Sequence, residues 1–366
     1  MNFSVQFKVR GDDFGGHFIN GISMADSESF WKCKLVSADD EKNVYESSDG
    51  YKITAYHIKK GDVFECYTVF ENNTDSVVTL DMISSFAITD LDFDTLHRAT
   101  SFWSAEGKML SQKLTDLNME RSWSGHGIRI EKFGQVGSMP VRKWFPFVAI
   151  ENSEKNEFIG VQLYIPSSWQ IELFRHKEPL TLLGGLADFD YGHWCKEIKP
   201  NESFTTPKAV VAVGDSLLKV CDMLVKAQKP DISSVDEDLP VIFNEYCTSW
   251  GNPTIENLEK TAKKLQGSGV KYLVMDSGWY KEDGKEWWDT IGDWNVNKSQ
   301  FPDGLKPVCD MIKSYGLIPG IWFEMENVAP LSQIYNETDH LLSRMGTPLN
   351  VAGHRFLDLR DEWCVN

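Results

Sequence analysis

The stretch VIFNEYCTSWGNPTIENLEKTAKKLQGSGVKYLVMDSGWY, residues 241–280, decides how the last third of this 366-residue chain folds. An apolar strand predicted over 239–243 runs into a polar and aromatic cluster, a helix follows from Pro253 to about Gln266, and a second apolar strand covers 270–275. Within the helix Ile255, Leu258, Ala262 and Leu265 form one apolar stripe, Pro253 suits the first helical position, Glu256/Lys260 and Glu259/Lys263 are i,i+4 pairs, and Gly267 and Gly269 end it. Further on, the pattern predicts a helix over 305–315, a strand over 317–323 and a helix over 331–345. Strand and helix in strict alternation imply parallel strands with crossover helices, as in the first part of a (β/α)8 TIM barrel.

The first two hundred residues read differently. Val5, Phe7 and Val9 alternate with Gln6, Lys8 and Arg10, and period-two stretches recur at 51–58 and 63–70 between turn clusters such as DDFGG (12–16) and ENNTDS (71–76). Short half-buried antiparallel strands at this spacing point to a large β-sandwich. Leu217, Val220, Cys221 and Leu224 then form a helical stripe, and KPDISSVDEDLP (229–240) reads as a linker. The expected domains are a β-supersandwich over 1–230, with this helix at its end, and part of a barrel over 239–366.

A formal charge of -17 repels phosphate backbones and anionic lipid, so neither nucleic acid nor a membrane is expected as a partner. The N-terminus has no apolar run of signal-peptide length and no segment approaches a membrane span, which points to a soluble, cytoplasmic protein. Seven scattered cysteines without a CxxC pair read as buried thiols in a reducing compartment and give no zinc spacing; no metal or other cofactor is expected. Thirteen tryptophans, several beside Gly, Asp, Ser or His, suit either sugar binding or a Trp-rich core.

In a barrel the site lies at the C-terminal ends of the strands. Three predicted strands end alike, in Asn244–Trp250, Asp276–Tyr280 and Trp322–Glu326. Asp276 at the end of a buried strand needs donors: sugar hydroxyls would serve, as would capping of the next segment or a basic partner such as Arg355. Trp250, Trp279 and Trp322 are candidates to stack on a sugar ring, or to fill the core. Asp276, Glu324, Glu326 and Asp358 are the acids available for glycoside hydrolysis, with Glu324 and Glu326 on one side of an extended strand or in a loop ion pair. There is no GxGxxG, phosphate loop, GxSxG or HExxH.

Taken together, FNEYCTSWGNPT (243–254), KYLVMDSGWY (271–280), IGDWNVNKSQFPDGLKPVCDMIKSYGLIPGIWFEMENV (291–328) and HRFLDLRDEW (354–363) resemble the start of the catalytic barrel of glycoside hydrolase family 36 α-galactosidases. SFWSAEGK (101–108), RSWSGHG (121–127), FGQVGSMPV (133–141), IPSSWQIEL (165–173) and GGLADFDYGHW (184–194) resemble the β-supersandwich that precedes it. The resemblance implies retaining hydrolysis of terminal α-galactosides such as melibiose or raffinose-type oligosaccharides, without a cofactor, by a homotetramer. It implies galactose contacts from Asp276 and Trp322, with Trp250 and Arg355 as further pocket residues. It also exposes departures. Ser277 stands where the family often has a second Asp, weakening one hydroxyl contact, and the Lys-Trp-Asp segment carrying the family's nucleophile is absent. No catalytic residue is therefore assigned; nucleophile and acid/base are expected beyond Asn366, the chain reading as truncated within the barrel, with an open sheet edge. A galactose-binding protein without activity, an α-N-acetylgalactosaminidase and a transglycosylase are the alternatives. Asp293 and Trp294 match the family's GDW pattern and fit a structural role equally.

Overall fold

The computed structural model describes residues 1–15, 22–120, 128–137, 139–176, 180–228 and 232–365. The RSWSGHG segment, Gly16 of the DDFGG turn, Ser138, the first three linker residues and Asn366 lie outside the described residues. The chain divides into two compact units, Met1–Pro230 and Asp231–Asn366.

Two antiparallel sheets make up the first unit. In one, Val78–Leu91 pairs with Leu180–Leu186, then Trp169–His176, then Ile128–Gln135. In the other, a meander of Cys33–Ala38, Lys42–Ser47, Tyr51–Lys60 and Val63–Asn72 joins Ala209–Gly214, Glu157–Leu163, Phe147–Asn152, Thr95–Phe102 and Ala105–Lys113. Their inner faces share one core: Phe86, Ile88, Ile171 and Leu182 from the first meet Leu96, Ile150, Val161 and Val211 from the second. This is the layered packing of a β-sandwich.

The outer face of the second sheet is covered in part by the helix Leu217–Ala227, capped by the Ser216 hydroxyl. Val220 and Leu224 pack on Ala149, Phe158, Val210 and Ala212, each burial contributing about 1.5–3 kcal/mol. Gly160 makes room for the helix, because a Cβ there would stand 3.1 Å from Val220. Covering both faces explains why 209–212 is an unbroken apolar run instead of an alternating one.

The alternation expected at the N-terminus is corrected in one respect. Gln6 and Lys8 are buried, because residues 12–15 and 22–29 fold over that face. Asp26 N donates to Gln6 Oε1 at 2.7 Å, Ser29 Oγ accepts from Val9 N at 2.8 Å, and Lys8 Nζ reaches Asp12 O at 2.7 Å. Period-two polarity therefore marks a face covered by polar chain, not by solvent.

In the second unit three short strands, β1 (Val241–Asn244), β2 (Val270–Met275) and β3 (Ile318–Ile321), lie parallel in that order. Helix α1 (Ile255–Leu265) connects β1 to β2, and α2 (Lys306–Ser314) lies between β2 and β3. Leu258 and Ala262 of α1 and Val308 and Ile312 of α2 are buried with Leu273 and Met275. Thr254 caps α1, its hydroxyl accepting from Asn257 N at 3.1 Å, so Pro253 stands before the helix and not at its first position as expected. Glu259 accepts a hydrogen bond from the Tyr315 hydroxyl at 3.1 Å.

The helix expected over 331–345 is replaced by 3-10 turns at Gln333–Asn336 and Thr338–His340 and a two-residue strand at Ser343–Arg344. Its backbone donors are taken elsewhere: Gln333 N binds both Asp293 carboxylate oxygens at 3.1 Å and Leu342 N binds Phe356 O at 2.7 Å. A helix cannot form once tertiary partners hold its N–H groups. The cysteines also differ from expectation: only Cys66 is buried, while Cys195 and Cys247 are exposed, and all seven are free.

Candidate functional site

The polar cluster after β1 and the one after β2 meet through side chains. Asn244, the last residue of β1, donates from Nδ2 to Asp276 Oδ2 at 2.6 Å, and its own Oδ1 accepts from Tyr246 N at 2.9 Å. The other Asp276 oxygen, Oδ1, accepts from Ser277 N at 2.7 Å. Asp276 is half-buried, one residue past the end of β2, and each of its oxygens keeps a lone pair for a further donor.

Beneath Asp276 lies Glu245, 1% exposed, whose Oε1 accepts from Asp276 N at 3.2 Å. Burial pushes the Glu245 carboxyl up from the usual glutamate range, opposed by hydrogen bonds from the Asp276 amide and the Thr248 hydroxyl. Neither Asn244 nor Glu245 was singled out as a site residue from sequence. The signal was available, since both follow an apolar strand in the way that marked Asp276.

Aromatic rings gather at the same strand ends. Trp322 N bonds Met275 O at 3.0 Å, which sets Trp322 at the end of β3 beside the end of β2. Trp279 is 2% exposed; its indole N–H donates to Trp322 O at 3.1 Å, and its ring stacks on Trp294 at 6.0 Å. Trp294 in turn meets Trp322 edge to face, also at 6.0 Å. Trp279 therefore supports Trp322 from within the core, while Trp322 itself is only half-buried. Trp250 is the opposite case, 69% exposed at the rim.

Close backbone approach ties these turns together. Gly278 has φ +96, and a Cβ there would lie 2.0 Å from Gly251 O; Gly251 has φ +80, and a Cβ there would lie 2.2 Å from the Trp287 indole. Only glycine fits either place.

The remaining expected residues separate. Ser277 is fully buried, and its hydroxyl has no hydrogen-bond partner among the described residues. Burial, and then the charges of Glu324 and Asp276, push the Tyr280 phenol well above its ordinary value, and its buried hydroxyl has no hydrogen-bond partner among the described residues. Strand β3 stops at Ile321, so the extended pairing of Glu324 with Glu326 does not arise; burial raises the Glu324 pKa, while Glu326 is exposed. Arg355 donates to Tyr335 O at 2.7 Å and lies over the Tyr335 ring at 4.2 Å, so it is not the partner of Asp276. Asp358 is held down to about 2 by the Arg360 guanidinium and amide. Asp293 accepts from Ser332 Oγ at 2.6 Å as well as from Gln333 N, a structural role.

Two other groupings stand apart from these strand ends. His340, Asp361 and Cys364 bring nitrogen, oxygen and sulfur within 4.8 Å of one another, a set that sequence spacing did not reveal. Asp361 there already pairs His340 Nδ1 at 2.6 Å and accepts from Trp363 N at 3.0 Å. In the first unit a groove of about 1350 Å³ runs between residues 59–65 and the helix Leu217–Ala227. Its lysines are partly spent on surface pairs, Lys226–Asp222 at 2.6 Å and Lys208–Glu65 at 3.3 Å. Among the described residues no helix is long and apolar enough to cross a membrane.

Residues 203–354 match the Melibiase family model. The chain is 26% identical over 239 residues to alpha-galactosidase Mel36A of Lactobacillus acidophilus, covering 62% of this chain and 32% of that protein. It is 25% identical over 286 residues to probable alpha-galactosidase G of Emericella nidulans, covering 73% of this chain and 37% of that protein. Among solved structures, the GH36 alpha-galactosidase AgaB of Geobacillus stearothermophilus superposes with a TM-score of 0.74 at 19% identity, over 99% of this chain and 49% of that one. The chain thus spans about a third of the length of these curated relatives and about half of the solved one. By family model, relatives and fold together, the chain is similar to the N-terminal part of the α-galactosidases of glycoside hydrolase family 36.

Proposed function

We propose that the strand ends of the second unit bind the terminal galactosyl ring of α-galactoside oligosaccharides, as the sugar-holding part of a retaining α-galactosidase. The observation that carries this is the clamp on Asp276. Its carboxylate is fixed by Asn244 and the Ser277 amide, yet is half-buried and keeps free lone pairs at the strand end next to that of the half-buried Trp322. Two sugar hydroxyls can donate to such a group while the apolar face of the pyranose lies on an indole. The GH36 alpha-galactosidase AgaA of Geobacillus stearothermophilus has been crystallised, as variants, with stachyose and with raffinose, and oligosaccharides of that kind are the substrates proposed here.

In this reading the parallel strands β1 to β3 form part of a (β/α)8 barrel, and the first unit is the family's β-supersandwich. Trp279 holds Trp322 in place, and the buried Ser277 hydroxyl contributes less than the second Asp common in the family. Retention needs two carboxyl groups about 5–5.5 Å apart across the scissile bond. None of the acids described above is assigned to that pair, so the role of these residues is binding and orientation. Seven free thiols suit a reducing, cytoplasmic setting, and assembly as a tetramer belongs to the same reading.

Titration of the chain with D-galactose and D-glucose, followed by tryptophan fluorescence, tests the assignment. Galactose is expected to bind saturably and at least about tenfold more tightly than glucose, the difference of one oriented hydroxyl. Equal affinity for the two sugars would contradict it.

A further inference from the structure

His340, Asp361 and Cys364 come from two segments distant in sequence, and backbone pairing brings those segments together. Leu341 and Leu357 form an antiparallel bridge, Leu342 N bonds Phe356 O at 2.7 Å, and Asp358 N bonds His340 O at 2.9 Å. The turn Thr338–His340 is thereby held against the segment that leads into the helical turn Glu362–Val365. Asp361 and Cys364 stand three positions apart across that turn, with Cys364 N bonded to Asp361 O at 3.0 Å, a spacing that sets both side chains on one side.

Each of the three side chains is also oriented. The His340 ring stacks on Trp363 at 4.0 Å with the planes 15° apart. Asp361 Oδ1 accepts from Trp363 N at 3.0 Å, while Oδ2 faces His340 Nδ1 at 2.6 Å. Cys364 Sγ donates to His340 O at 3.3 Å. Outer partners of this kind fix the direction of metal ligands. All three residues are half-buried, so an ion reaches them from solvent without unfolding the chain.

An ion pair between His340 and Asp361 accounts for two of these groups and has no use for the thiol; a cation accounts for all three. The nitrogen, oxygen and sulfur lie within 4.8 Å of one another. Ligands of one tetrahedral zinc, with bonds of about 2.0–2.3 Å, stand roughly 3–4 Å apart, so side-chain shifts of about an ångström close the set. Imidazole and thiolate suit zinc, whereas magnesium and calcium take oxygen ligands.

We infer that His340, Asp361 and Cys364 bind a zinc ion, with solvent as the fourth ligand, and so pin the turn Thr338–His340 to the turn Glu362–Val365. On binding, the Cys364 thiol releases its proton to solvent, and two metal bonds replace the contact between Asp361 and neutral His340. The site is independent of the galactoside-binding reading and stands or falls without it.

The test is titration of the whole reduced chain, stripped with a chelator, with Co2+ as the spectroscopic probe and then with Zn2+. Wild type is expected to bind one Co2+ with a thiolate-to-cobalt charge-transfer band, bleached by stoichiometric Zn2+ and untouched by Mg2+. Cys364→Ser should lose the band, His340→Ala should weaken Zn2+ binding at least about tenfold, and Cys195→Ser, which removes an exposed thiol, should change neither. Absence of the band in wild type, or its persistence in Cys364→Ser, overturns the site. Alkylation of the wild type read by mass spectrometry decides the matter without any substitution. One equivalent of Zn2+ is expected to shield Cys364 while the exposed Cys195 and Cys247 stay reactive, and equal labelling of Cys364 with and without Zn2+ overturns the inference.

Discussion

At Asp276 an apolar strand gives way to a carboxylate whose two oxygens are already held, one by Asn244 and one by the Ser277 amide. Glu245 supports it from below and carries a testable signature of its own. Its carboxyl is raised above the usual range mainly by burial, so between the unfolded value, about 4.3, and the higher folded one the native state holds the extra proton. Its contribution is fully present below the unfolded pKa and is lost as pH rises through the folded one. Glu245→Gln keeps an acceptor for the Asp276 amide and removes that titration. Urea unfolding at a series of pH values should show the Gln variant gaining stability relative to wild type as pH rises above about 4.3, then levelling; a difference constant with pH would contradict this. The position of Asp276 and Trp322 just past two strand ends is legible in the sequence, because a buried strand changes character there. Asn244 and Glu245 stand in a similar place and were passed over for the tryptophans, and the burial of Trp279 and Ser277 was not legible because it depends on which turns press together.

At the scale of elements, apolar period and caps placed α1, α2 and the three parallel strands to within a few residues. The failure lay over 331–345, where the apolar spacing is helical but Asp293 and Phe356 hold the backbone donors. Partners distant in sequence leave no periodic trace. The turns after β1 and β2 show the same dependence, locked by two glycines at positive φ. Gly278→Ala adds a Cβ against Gly251 O and strains the backbone, and should destabilise the second unit by more than about 2 kcal/mol. Gly267→Ala, at φ +73 with open space around it, should cost only about 1 kcal/mol. Chemical denaturation of both variants checks the contrast; equal losses would show that contact between the turns is not what fixes Gly278.

Over the whole molecule, the two classes of pattern, period two and then alternating strand and helix, correspond to two units with separate cores. The clusters built on Phe86, Phe7, Val220 and Met82 draw only on residues before 228, and the cluster on Leu258 only on residues after 242. Residues 1–228 expressed alone should therefore melt cooperatively with a β-rich far-ultraviolet spectrum; a broad transition with dye-accessible apolar surface would contradict that. The claim on which the functional account depends is narrower: Asp276 is a sugar ligand. Titration of wild type and Asp276→Asn with D-galactose tests it most directly. The substitution keeps shape but removes the charge that strengthens hydroxyl hydrogen bonds, so affinity should fall about tenfold or more while the melting temperature stays close to wild type. Galactose binding of equal strength in the variant would show that the pocket lies elsewhere.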